Sequence, residues 1–408
     1  MRKVVITGRG LVTPIGNGLA ANVQSLREGK TGTVFMQEWA DLGLDSQVAG
    51  VSDHDVTCPM FTVKNVRFMA TNARMAAVAA YNAFAEAGLT PEDLPERRIA
   101  MINGCAGSAY SVVYKNMSTY ERTRKLRSCS PFSIPKIMPS CGVANMSLLF
   151  GTTGESYDIS CACTSGALAI IAGARLIRSG EYDIVLVGGS EEVSWGQSLG
   201  FGAMHALSTQ YNDRPGCASR PFDKGRDGFV LAEGAGMLVL ESEEHALKRG
   251  AKPLSVVSGF YSNSNATDMV VPSAESTAEV MNMAIQNAGL KPSDIAYVNT
   301  HGTSTPVGDP IELNGIRDVF GDRSVAINST KSMTGHMIGA AGAVEAIFCS
   351  LMIENSFICK TANLENVEDN LEWADLVRET RDVTFDHALS NSFGFGGSNA
   401  SLVISRYK

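Results

Sequence analysis

Between Asp158 and Gly180 the chain reads DISCACTSGALAIIAGARLIRSG, with Cys161 and Cys163 one residue apart where a short β-like run passes into an apolar helix rich in small residues. Cysteines at such a junction can bind metal, cycle between thiol and disulfide, or attack a carbonyl. A structural zinc site needs four ligands, and no second Cys/His pair stands nearby. Thioredoxin-like redox pairs have a two-residue spacer, whereas here Ala162 stands alone between them. If the helix begins near Thr164, Cys163 sits at its amino end, where unpaired N–H groups and the helix dipole favour thiolate over thiol. Cys161, alternating with Ile159, is expected to pack into the sheet. The plainer reading is two buried packing cysteines.

Three later stretches carry residues suited to carbonyl chemistry. NTHGTSTPVGDPIE, Asn299 to Glu312, sets His301 at the end of a β-like run, with Pro306 and Asp309 shaping entry to the next helix. STKSMTGHMIGAAGAVEA, Ser329 to Ala346, puts Lys331 and His336 ahead of an apolar helix, predicted over 336–352, whose Gly339, Ala340, Ala341 and Gly342 allow close packing. Glu345 lies in the apolar part of that helix and needs a partner, for which Lys331 is the expected one. SNSFGFGGSNA, Ser390 to Ala400, alternates aromatics with glycines and can bring backbone N–H groups close to a bound group. Singly, these read as a loop histidine, a packed helix and a turn. Together they suit thioester chemistry: a cysteine protease needs one base and one orienting group, and here two histidines follow, each in its own glycine-bearing loop.

The elements that must position these residues alternate between strand and helix. VVITGRGLVTPIG opens the chain as strand and turn; its GRG resembles a dinucleotide loop, but the third glycine is missing and Pro14 and Gly16 stand where the helix should start. Helices are predicted over 19–27, 67–87 and 166–178, and strands over 98–103 and around YDIS, YDIVLVGGSEE and 237–241. From Gly104 to Pro139 the pattern is less periodic, an excursion outside the main sheet that holds Arg122, Arg124, Lys125 and Arg127. A second run begins near Pro253 with strand LSVVSGFYSN, helix 276–288, strand IAYVN, helix 309–319, strand VAINSTK and closing strand ASLVISR. The shared grammar of the runs predicts layered α/β architecture built by duplication, with halves 1–252 and 253–408, although no residue-level repeat is visible.

Composition narrows the classes. With 408 residues, 19% charged against 44% hydrophobic and 40 glycines, the chain lacks polar surface, which a homodimer interface would explain. A net charge of −8 argues against a nucleic-acid partner. No signal core stands at the start, and apolar stretches are interrupted by Arg175 and Glu345, so no membrane association and a cytoplasmic location are expected. Nine scattered cysteines do not form a disulfide framework, and His54, His205, His245 and His387 match no catalytic motif.

Cys163, HGTSTPVGD, TKSMTGHMIGAAG and NSFGFGGSNA, in this order, resemble the β-ketoacyl-acyl carrier protein synthases, as do VVITGRGLVTPIG, SLREGKTG, VGGSEE, ALST and SRPFDKGRDGFVLAEGAG. The resemblance covers essentially the whole chain, and the Cys-His-His set with VRFM is most similar to the elongating synthases I and II, synthase I somewhat closer. It implies an α/β thiolase fold, duplicated βαβαβαββ halves in a five-layered α-β-α-β-α sandwich, acting as a homodimer. By motif position it implies that Cys163 carries the acyl chain as a thioester, and that His301 and His336 promote decarboxylation of malonyl-acyl carrier protein. Backbone N–H groups of Cys163 and Phe395 would form the oxyanion hole, and Lys331 and Glu345 would support the electrostatics. Thr303 and Thr305 would bind the phosphopantetheine arm, while Phe201, Met204, Met138, Phe393 and Phe395 would contact the substrate. Lys64, Arg67, Arg124, Lys125 and Arg127 would meet the acidic carrier protein. The resemblance implies no cofactor and no catalytic metal, the arm arriving on the carrier, with a structural monovalent cation conceivable near Asn299, Glu345, Ser390 and Asn391.

The implied activity is decarboxylative Claisen condensation in fatty acid elongation. A polyketide or aryl-polyene synthase would share the chemistry with a different primer, and a chain-length partner subunit would lack the cysteine. A degradative thiolase would carry a second cysteine in the terminal glycine-rich loop, where SFGFGGSNA has none. Asp45 and Leu168 stand where synthase I relatives commonly carry a basic residue and a histidine, and Cys161 where serine is common.

Overall fold

The computed structural model describes residues 2–95, 97–107, 109–321, 325–368 and 371–408. In the first half, strands β1 (Val4–Thr13), β2 (Ala100–Gly104), β3 (Ser156–Ile159), β4 (Ile184–Glu191) and β5 (Gly234–Ser242) lie in the spatial order β1-β5-β4-β2-β3. In the second half, β6 (Ser255–Ser264), β7 (Tyr297–Asn299), β8 (Ala326–Asn328), β9 (His387–Phe393) and β10 (Ser398–Arg406) lie in the order β6-β10-β9-β7-β8. Numbered within each half, both orders are 1-5-4-2-3. The pairing senses also match, parallel among the second, third and fourth strands and antiparallel at the fifth. The sheets join where Val5 and Ile6 of β1 pair antiparallel with Val256 and Ser255 of β6. The duplication is therefore present as topology.

Three apolar cores separate the layers. Helix α1 (Thr71–Glu86) covers the outer face of the first sheet, Met75, Ala79 and Phe84 packing with Met237 and Val239. Gly8 and Gly10 of the opening motif serve this contact: a Cβ on Gly8 would lie 2.0 Å from the Ala83 carbonyl oxygen, and one on Gly10 1.8 Å from that of Ala79. Their role is close helix-on-sheet approach. Among the helices α2 (Tyr110–Thr123), α3 (Cys141–Phe150), α4 (Ser165–Ser179), α5 (Trp195–Ala203), α6 (Ala274–Asn287), α7 (Gly308–Phe320) and α8 (Ala341–Asn355), α6 and α7 cover the outer face of the second sheet. Helices α4 and α8 fill the middle, α8 contacting β4 and β5 of one half and β9 and β10 of the other. The layers run α-β-α-β-α. The apolar run 338–355 is long enough to cross a membrane, but Ala341 to Ile353 are all buried between the sheets.

Three local expectations are corrected. The helix predicted over 67–87 starts at Thr71 after a separate turn, Val63–Val66, because Glu192 of another segment accepts the N–H groups of Thr71 (3.1 Å) and Asn72 (3.4 Å) and so caps it there. The helix predicted from His336 begins at Ala341: His336 is held as a one-residue strand, donating its N–H to Val230 (2.7 Å) and accepting from Ala232 (2.9 Å). Cys161 lies beyond the end of β3 and is half-buried; Ser165 Oγ accepts its N–H (2.9 Å) and Thr164 Oγ1 donates to its carbonyl (2.6 Å), turning the chain out of the sheet.

Candidate active site

Each half ends its third strand in a connector to a central helix, and the two helices meet at their amino ends. Glycines set the separation: a Cβ on Gly166 would lie 2.8 Å from the Gly339 carbonyl oxygen, and one on Gly342 2.9 Å from the Ala167 nitrogen. The connectors thereby converge on one cavity of about 480 Å³, lined by Cys163, His301, His336, Thr303, Thr305 and Phe395 among others. Cys163 directly precedes Thr164, the N-cap of α4, and Ala162 before it has φ +48°, a tight turn that presents the thiol to the cavity.

The reactive atoms of Cys163, His301 and His336 all lie within 4.8 Å of one another. His336 Nε2 is 3.0 Å from Cys163 Sγ, and the two imidazoles meet edge to face at 5.2 Å between centroids. Phe229 braces His336 at 5.6 Å, and Phe393 stands 5.8 Å from His301. Burial pushes both histidines well below the usual imidazole range and the Lys331 charge acts in the same direction, so both rings are neutral at pH 7. Neither Nδ1 has a hydrogen-bond partner among the described residues, so the proton belongs on Nε2, facing the cavity.

The thiol departs from the sequence expectation. Burial pushes Cys163 up to about 12 although it stands at a helix amino end, with Lys331 and the N–H groups of Cys163 and Phe395 acting the other way. Desolvation of the anion outweighs the helix terminus here. Those two N–H groups point at the sulfur. Lys331 Nζ donates to Glu345 Oε1 at 2.6 Å, both side chains buried, as their sequence context required.

Comparisons with known proteins identify the family. Residues 1–246 match the beta-ketoacyl synthase N-terminal domain, and residues 254–365 its C-terminal domain. The chain belongs to the beta-ketoacyl synthase family. It is 42% identical over 409 residues, all of both chains, to 3-oxoacyl-[acyl-carrier-protein] synthase 1 of Escherichia coli K12. The crystal structure of a beta-ketoacyl synthase from Burkholderia phymatum superposes with a TM-score of 0.94 at 33% identity, with full coverage of both chains. A type II polyketide ketosynthase, solved with its acyl-carrier protein and bound to the hexaketide, superposes at 0.90 with 29% identity, again with full coverage of both chains.

Among the residues this synthase's sequence singles out, Thr303 and Thr305 line the cavity with their hydroxyls 3.3 Å apart, and Phe201, Met204, Phe393 and Phe395 line it too. Met138 does not. It is the C-cap of a short helix, Ser133–Ile137, in the excursion, and is 37% exposed on this chain, because that helix faces outward. Lys64, Arg67, Arg124, Lys125 and Arg127 are exposed and make no salt bridge among the described residues; Arg67 stacks over Phe132 (5.1 Å), which joins it to the excursion. The excursion is more regular than its sequence predicts, since it forms the 14-residue helix α2. For a cation, Asn299 Oδ1 and Glu345 Oε2 are buried oxygens without a hydrogen-bond partner among the described residues, and Ser390, whose hydroxyl meets the Cys349 thiol, is the register neighbour of Asn299 across β7 and β9. These oxygens suit a hard cation. Asn391, the fourth residue of that set, has its Oδ1 committed to Ser401 (2.8 Å).

Sequence reading placed Asp309 at the entry to its helix but missed Glu312 and Glu191, which hold the loops together with it. Glu312 on α7 accepts the N–H groups of His301 and Gly302, each at 2.8 Å, and Asp309 one turn earlier accepts those of Ser304 (3.1 Å) and Thr305 (3.2 Å). Their i, i+3 spacing directly after a Gly/Thr loop is the signal that points to them. Glu191, at the end of β4, accepts from Ala106 (3.0 Å) and Gly339 (3.2 Å) and ties the excursion to the turn before α8. Burial pushes Glu191 and Glu312 up to about 7 and Asp309 to about 6.

Proposed function

We propose that the chain catalyses decarboxylative condensation of an acyl chain, held as a thioester on Cys163, with malonyl-acyl carrier protein in fatty acid elongation. The observation that carries this reading is the convergence of one thiol and two neutral, cavity-facing imidazoles within 4.8 Å. In the first step the Cys163 sulfur attacks the acyl-carrier thioester. The thiol proton ends on the departing arm sulfur, and His336 Nε2–H, 3.0 Å away, holds the charge between. The N–H groups of Cys163 and Phe395 hold the tetrahedral oxyanion, preorganised donors that need no rearrangement as charge develops. In the second step malonyl-carrier loses CO2, and the resulting enolate attacks the Cys163 thioester; as the C–C bond forms the C–S bond breaks, and the Cys163 sulfur leaves as thiolate and takes a proton from solvent to regenerate the thiol. Loss of CO2 generates the carbanion without a strong base, so the enzyme must hold the negative thioester oxygen, and two N–H donors from neutral histidines do so. A cationic imidazole would bring an additional buried charge beside Lys331.

Thr303 and Thr305 receive the phosphopantetheine arm, and the exposed cations Lys64, Arg67, Arg124, Lys125 and Arg127 steer the acidic carrier protein. The enzyme needs no resident organic cofactor; Asn299, Glu345 and Ser390 would hold a structural cation that neutralises buried oxygens away from the reacting atoms. Residues 1–252 supply the nucleophile, residues 253–408 both histidines. A cytoplasmic homodimer completes the reading: β3 lies at the sheet end with one side unpaired, and Leu148 (84%), Leu126 (79%) and Met117 (60%) stand exposed. The test is incubation with acyl-carrier protein followed by malonyl-carrier protein, read by intact mass. An acyl adduct on the Cys163 peptide, then a β-ketoacyl-carrier product and released CO2, is expected; absence of the adduct overturns the reading.

A further inference from the structure

The cavity wall around Ala106, Gly107 and α5 is mostly apolar, with Phe201 on α5 and Ala162 and Ile338 nearby, but it contains the side chain of Gln197. Gln197 is 7% exposed, and its amide orientation is set by the start of α5. It is the third residue of a capping box: Ser194 Oγ accepts the Gln197 N–H (3.4 Å), and the Ser194 N–H donates to Gln197 Oε1 (3.0 Å). Only an oxygen can accept there, so the NH2 group is forced to the other side. That group makes no hydrogen bond among the described residues and faces the gap beside Gly107, where a Cβ would lie 2.9 Å from Nε2. Glu191 Oε1 comes equally near that point, at 2.8 Å, but accepts the Gly107 N–H (3.2 Å). A saturated chain in this cavity strips water from a buried N–H donor and returns nothing, whereas a chain oxygen beside it restores the bond.

We propose that Gln197 makes this cavity selective for acyl chains bearing a hydrogen-bond-accepting oxygen, a keto or hydroxyl group, over fully reduced chains of equal length. The inference rests on the condensing chemistry proposed above and, where it holds, replaces the reduced chains of fatty acid elongation with oxygenated ones as the preferred substrate. Its test uses the full-length enzyme and carrier protein loaded with dodecanoyl or with oxododecanoyl chains whose keto group occupies successive positions, reading the rate of Cys163 acylation by intact mass. In the wild type, one keto position is expected to exceed dodecanoyl by about tenfold or more in kcat/KM, the discrimination of an otherwise unmet buried donor. Gln197→Met, which removes the donor, and Gln197→Glu, which keeps the capping oxygen, should both bring that ratio near one. Ser194→Ala weakens the cap hydroxyl but leaves the amide in place, and should keep the preference, which a merely structural role for Gln197 does not predict. If dodecanoyl acylates Cys163 and no keto chain is favoured, or the preference survives Gln197→Met, the inference fails alone. If no chain acylates Cys163, the condensing reading fails and carries the inference with it.

Discussion

In the first half of the chain, β3 ends at Ile159 and α4 begins at Ser165, leaving a connector just long enough to place Cys163 against the helix N-cap. In the second half, the equivalent β8 ends at Asn328 and α8 begins only at Ala341, and the longer connector carries Lys331, the Gly335 turn and His336. Both halves share one strand order, so both central helices direct their amino ends at the same cavity. The repeated topology supplies the meeting point, and the unequal connectors supply different side chains: a thiol from the short one, a lysine and an imidazole from the long one.

The largest effects should come from exchanging these roles. Cys163→Ala is expected to abolish the acyl adduct and lower condensation by about a thousandfold or more, since no other group can hold the chain. His301→Ala or His336→Ala should lower condensation by roughly a hundredfold or more through the lost donor while the Cys163 adduct still forms. Equal loss of both steps in all three variants would break the division of labour between the halves.

Lys331→Met tests the long connector's other contribution. It leaves Glu345 buried and unpaired, which should destabilise the fold by about 3–5 kcal/mol, measured by denaturant unfolding. Lys331→Met/Glu345→Leu should recover most of that stability without recovering condensation.

A smaller effect is expected on the excursion, which only the first half carries. Charge reversal of Arg124, Lys125 and Arg127 should raise KM for the carrier protein by roughly tenfold at low salt, leave kcat nearly unchanged, and lose its effect as salt rises.

The smallest effect distinguishes the loop of the second half. Glu312, raised to about 7 from an ordinary 4.5, binds its proton more tightly folded than unfolded. Its contribution to stability therefore falls as pH rises from 4.5 through 7 and is constant above. Thermal unfolding across that window should show a shallower fall in Glu312→Gln than in the wild type.

Legibility differed by residue. Cys163, His301, His336 and the Lys331–Glu345 pair were readable because each is a reactive or costly residue in a distinctive local context. Glu312 and Glu191 were not, because their partners are backbone N–H groups of other segments, and a backbone donor has no letter in a sequence. The late starts of α1 and α8 were hidden for the same reason, set by Glu192 and by the strand contact of His336. Gln197 also passed unread: a glutamine three residues after Ser194 is a capping signal, and only the Gly107 wall shows where its other end points.

By itself the sequence determined the alternation of strand and helix, the two-run grammar and which loops carry side chains capable of thioester chemistry, since these follow from periodicity, punctuation and side-chain chemistry over a few neighbouring residues. Tertiary structure alone decided that the runs share one strand order, that glycines at 166 and 342 let the two helix starts touch, and that burial raises the Cys163 thiol and keeps both histidines neutral. Burial sets those charge states, and burial is a property of the packed layers.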